Sequence, residues 1–86
     1  MTIRKKGELK RPVNRMPAWI RQALVDTGLM ERYRSRPPYQ RNDYLGWIIH
    51  PKLEATRERH LEQMLSELKR GDHYMGMPWH GEAARP

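Results

Sequence analysis

Apolar residues along this chain recur in short stretches separated by Gly or Pro, and within each stretch their spacing is helical. In "MPAWIRQALVDTG", Trp19, Ile20, Ala23 and Leu24 share one face, Pro17 suits a first helical position, and Gly28 falls where a left-handed cap would sit. "LMERYRSR" sets Leu29, Met30 and Tyr33 at i, i+1 and i+4, which predicts a short second helix stopped by Pro37. In "RPPYQRNDYLGWI", Pro38 has its φ preset for a first turn, and Tyr44, Trp47 and Ile48, with Leu45 and Ile49 alongside, make a wide apolar face. Gly46 inside that face costs roughly 1 kcal/mol relative to Ala, which points to the close approach of another helix. Asp43, early in the same helix, is placed to meet the helix dipole or Arg41.

Pro51 ends the third helix and can open a fourth, the longest. Along "PKLEATRERHLEQMLSELKRG", Leu53, His60, Leu61, Met64, Leu65 and Leu68 form a stripe. Glu54–Arg57, Arg59–Glu62 and Glu67–Arg70 are i,i+3 pairs, and Lys69 and Arg70 form a basic last turn before Gly71. The remainder, "DHYMGMPWHGEAARP", has no period; its first part is expected to fold back over the helices and its end to fray. No alternating β-branched run argues for a sheet. The expectation is an all-α fold, a small bundle of about four helices with Pro/Gly turns. It comprises a flexible basic arm (1–15), a helical domain (16–71) and an irregular tail (72–86). The predicted core is Trp19, Ile20, Leu24, Tyr33, Tyr44, Trp47, Ile48, Leu61, Met64 and Leu68.

Composition sharpens this picture. Eighty-six residues make one domain at most, and hydrophobic residues are 37% of them. A core so small needs its rings, so the aromatic residues are assigned to packing rather than to a base-stacking platform. The mean hydropathy of -1.01 fits a chain that is not packed throughout. The net charge is +7, yet residues 1–15 carry six Lys/Arg against Glu8 alone, so most of the basicity belongs to the arm. No Cys is present, which excludes a disulfide framework and thiolate chemistry and suits a reducing cytosol. "MTIRKKGELKR" has no apolar signal core, and no apolar run approaches the ~20 residues of a membrane span. A cytoplasmic protein without membrane insertion is expected.

Catalytic and metal chemistry find no support. His50, His60, His73 and His80 make no i,i+3 or i,i+4 pair, Ser35 and Ser66 are poorly placed for a hydrolytic triad, and no phosphate-cradling glycine motif occurs. The expectation is a protein without enzymatic activity, metal or cofactor.

"YLGWIIHPKLEATRERHLEQMLSELKRG" resembles the C-terminal helical domain of the YdeI/OmpD-associated, or bacteriocin-protection, family. Its pattern is an aromatic-rich helix ending in Trp-Ile, a Glu-Thr-Arg turn, and a long helix closing with Leu and Gly. Tyr44, Trp47, Ile48, Lys52, Thr56, Arg57, Leu61, Leu68 and Gly71 stand at matching places, and the likeness extends over about residues 16–71. Pro51 replaces the family's usual Ala, and His60 a usual Arg. The resemblance implies a compact bacterial helical domain associated with bacteriocin protection and stress resistance, and it supplies no catalytic residue.

Three groups of residues remain as candidate sites. Lys52, Thr56 and Arg57 gather at the start of the long helix, either as an interhelix brace or as an anion-binding corner. Tyr74, Met75, Met77 and Trp79 form a candidate exposed patch for an unidentified protein partner. Arg32, Arg34, Arg36 and Arg41, otherwise a solvated face, would contact phosphates in an alternative in which the protein binds nucleic acid. The leading expectation is a non-enzymatic protein-interaction module, its oligomeric state not fixed by the sequence.

Overall fold

The computed structural model describes residues 13–79, and the greater part of the predicted basic arm, with the end of the tail, lies outside them. Four helices follow in order: α1 (Ala18–Asp26), α2 (Met30–Ser35), α3 (Pro38–Ile49) and α4 (Glu54–Arg70). A two-stranded antiparallel hairpin, β1 (His73–Tyr74) and β2 (Met77–Pro78), closes the described chain. The fold is mostly helical, as the spacing predicts. No helix among the described residues is long and apolar enough to cross a membrane.

The boundaries follow from local chemistry. After α1, Gly28 adopts φ +71, the Leu29 N–H bonds the Leu24 carbonyl at 3.0 Å, and the Gly28 N–H bonds that of Val25 at 3.1 Å. This is a Schellman closure, and it reverses the chain into α2 within three residues. Arg36 and Pro37 are extended, and Pro38 begins α3. Glu54, three residues past Pro51, begins α4, leaving Leu53 as an exposed cap outside the predicted stripe. Gly71 ends α4 at φ +80. Arg32 of α2 donates to the Leu68 and Lys69 carbonyls at 3.3 and 2.5 Å, covering the C-terminal dipole of α4 with a cation from a neighbouring helix.

The core is Ile20 and Leu24 of α1, Tyr33 of α2, Tyr44, Leu45 and Ile48 of α3, and Met64 and Leu68 of α4. Trp47 and Leu61, predicted as core, pack against it half-buried. Trp47 stacks on His60 with ring centroids 3.9 Å apart and planes 11° from parallel, and the His60 Nδ1–H donates to the Trp47 carbonyl at 2.8 Å.

Trp19 corrects the predicted core, for it is 43% exposed. Residues 19, 20, 23 and 24 do share a broad face, but only Ile20 and Leu24 on it are buried. Gly46 carries a second correction. The nearest atoms to it belong to the side chains of Asn14, whose Nδ2 would lie 3.0 Å from an added Cβ, and of His50 at the end of its own helix, at 3.5 Å. Asn14 is held there by Asn42: its backbone N–H and its Nδ2 donate to Asn42 Oδ1 at 2.6 and 3.2 Å, and Nδ2 also reaches the Asn42 carbonyl at 3.1 Å.

Candidate functional site

Both ends of α4 carry glutamates, and the structure treats them in opposite ways. Near the C-terminal end, Glu67 occupies the apolar stripe between Met64 and Leu68 and is 5% exposed. Its Oε1 accepts from the Tyr44 hydroxyl at 2.5 Å and the Met75 N–H at 2.8 Å; its Oε2 accepts from the Gly76 N–H at 2.7 Å and Gln63 Nε2 at 3.1 Å. Two donors on each oxygen satisfy a carboxylate well. Burial by itself raises the Glu67 carboxyl, but the bonds from Tyr44, Gly76, Gln63 and Met75 outweigh it and hold the group below its ordinary value. The same burial, reinforced by the bond to Glu67, pushes the Tyr44 hydroxyl well above the ordinary tyrosine range. Both oxygens are filled, so this carboxylate fastens the hairpin to the helices and has no lone pair left for a ligand.

Residues 75 and 76 form the turn of that hairpin, both with positive φ (+51 and +83), as a two-residue I′ turn requires. Gly76 adopts this readily and Met75 does not, so the two bonds to Glu67 hold the turn in place. Tyr74 packs edge-on against Tyr39 and Tyr44, with centroids at 5.9 and 5.4 Å, and donates to Asp43 at 2.5 Å. Trp79 lies 4.3 Å from the Arg36 guanidinium. The predicted exposed patch is thereby corrected: Tyr74, Met75 and Trp79 are folded onto the helices, and Met77 alone of the four is strongly exposed, at 53%.

The arginine face is corrected at Arg36. Arg36 is 3% exposed, donating to Gln40 Oε1 and to the Glu67 carbonyl, each at 3.1 Å, which removes it from any phosphate-contacting surface. Arg32 donates to the end of α4, as described above, and stays exposed. Arg41 is half-buried, and its Nε is enclosed with no partner among the described residues. Arg34 remains exposed beside Glu31 at 3.6 Å. Glu67 faces inward rather than pairing with Arg70, which instead meets Asp72 at 3.5 Å.

The N-terminal end of α4 is open. Trp19 of α1 and Glu54, Arg57, Glu58 and Leu61 of α4 line a groove of about 440 Å³. Here lies the predicted corner of Lys52, Thr56 and Arg57. The Arg57 Nε–H donates to the Pro51 carbonyl at 2.6 Å, bracing the loop from α3 against α4; Thr56 Oγ1 accepts from Arg59 at 3.4 Å, and Lys52 is exposed. Neither Glu54 nor Glu58 is engaged by an ion pair or side-chain hydrogen bond among the described residues.

Glu67 left a trace in the sequence, as an acid on the apolar face three residues after Met64, and so did the x-Gly turn at 75–76. The opening beside Trp19 left none, because it depends on which edge of α1 meets the bundle.

No three of His, Asp or Glu gather as a metal site among the described residues. No curated protein and no solved structure matches the chain. The family described as "Bacteriocin-protection, YdeI or OmpD-Associated" matches residues 15–71, the same stretch that folds into the four helices and their joining turns. The chain therefore belongs to the YdeI/OmpD-associated bacteriocin-protection family.

Proposed function

We propose that this domain is a non-enzymatic, cytoplasmic protein-interaction module and that its contact face is the groove between α1 and the start of α4. One observation carries the reading. In a domain that buries Tyr33 and Tyr44, Trp19 stays 43% exposed over a groove of about 440 Å³. A large exposed ring beside a concave surface is the usual anchor of a protein contact. Nucleic-acid binding is less well supported, because Arg36 is buried on the Glu67 carbonyl and Arg32, though exposed, donates to the carbonyls that end α4.

A photo-reactive phenylalanine placed at position 19 of the full chain, with a control at exposed position 34, tests the reading in living cells. A discrete adduct at 19 that is absent at 34 is the expected result. Equal labelling at both positions, or steeply salt-dependent DNA binding without any adduct, would overturn it.

A further inference from the structure

Glu54, Glu58 and Leu61 stand at i, i+4 and i+7, so the two carboxylates lie one above the other on the face of α4 that looks across the groove at Trp19. Like charges at i,i+4 repel; the first-turn position of Glu54 sets it in the favourable field of the helix N-terminus, but no ion pair or side-chain hydrogen bond among the described residues engages either acid. Arg57, the one cation lining the groove among the described residues, is tied by its Nε–H to the Pro51 carbonyl at 2.6 Å. The lining thus carries a net negative charge on a chain of +7. An exposed indole lining the same groove as two carboxylates is complementary to an organic cation: the acids pair with the charge, the ring quadrupole attracts it, and Leu61 and the ring cover its apolar stem.

We infer that the groove receives a lysine or arginine side chain presented by a segment of a partner protein, its cationic head between Glu54 and Glu58 and its stem along Trp19. This rests on the reading of the domain as an interaction module and names the chemistry of what it contacts. The negative lining repels a phosphate backbone, which favours a basic peptide over nucleic acid.

The test uses the full 86-residue chain and two probes, N-acetyl-Leu-Arg-Leu-amide and the same peptide with citrulline in place of arginine. The indole N–H signals of Trp19, Trp47 and Trp79 are followed by NMR. Citrulline keeps the shape of arginine and removes its charge. The arginine peptide is expected to shift Trp19 selectively and to bind about tenfold more tightly than the citrulline peptide. Glu54→Gln with Glu58→Gln should remove that preference while leaving the helical signal unchanged, since both side chains are exposed.

Equal binding of the two peptides, no shift of Trp19, or a charge preference that survives the double substitution would each overturn the inference. Two other occupants have their own signatures, and either would also overturn it. A Trp19 shift that grows with protein concentration alone identifies a second copy. An affinity gain of about tenfold on neutralising Lys5, Lys6 and Lys10 identifies this chain's own arm as the occupant. If the adduct at position 19 forms while the arginine peptide shows no preference, the interaction reading stands and only the cationic partner is lost; if both fail, so does the contact face.

Discussion

Glu67 and the pair Glu54 and Glu58 belong to one helix and one residue type, yet one carboxylate is sealed by four donors and the other two face an open groove. Two of the aromatic residues differ in a like manner: Tyr44 is fully buried against Glu67, whereas Trp19 is 43% exposed over the groove. The lesson is that neither the acid nor the ring marks function here. What separates structure from site is whether the surrounding chain supplies partners. At the closed end the hairpin returns over α4 and offers its turn N–H groups; at the open end no described segment comes back.

Removing the sealed carboxylate should give the largest effect. Glu67→Ala leaves the Tyr44 hydroxyl and two turn N–H groups without their acceptor, for an expected loss of about 3 kcal/mol in urea unfolding and a melting point lower by roughly 12–24 °C. A loss below about 0.5 kcal/mol would erase the distinction between the two ends. Tyr44→Phe sharpens the contrast by deleting a single donor to a charged acceptor, with an expected cost of about 1.5–3 kcal/mol and an unchanged helical spectrum.

Acid titration probes the same end by another route. Because the native Glu67 carboxyl lies below its ordinary value of 4.5, its contribution is fully present above that pH and is lost as pH falls through the native value. The stability difference between the natural chain and Glu67→Gln should therefore shrink on acidification below pH 4.5, and a constant difference would show that ionisation is irrelevant to the latch. Trp19→Ala should be the mildest change, within about 0.5–1 kcal/mol of the natural chain despite the size of the residue removed. A loss comparable to that of Glu67→Ala would return Trp19 to the core and close the proposed groove.

Much of the helical frame was legible from residues alone, because Gly28, Pro38 and Gly71 act through backbone geometry that depends little on tertiary context. The buried tyrosines were legible too, since a wide apolar face such as that of α3 has to be covered. What escaped was decided between elements. Arg36 looks like surface in the series Arg32, Arg34, Arg36, but it leaves α2 in an extended conformation that swings its side chain under Trp79. Tyr74 and Met75 look like an apolar surplus until Glu67 is seen to anchor the turn between the strands. Trp19 has apolar neighbours at helical spacing, and only the packing of α1 shows which of them remain outside.

The amide clasp between Asn14 and Asn42 also bears on how this domain can be moved between proteins. The family's own span opens at residue 15, one position inside the clasp. A fusion spliced at that border would strip the notch above Gly46 of its filling and take from Asn42 the hydrogen bonds that Asn14 makes to it. A graft that begins at Val13 would carry the plug along with the socket.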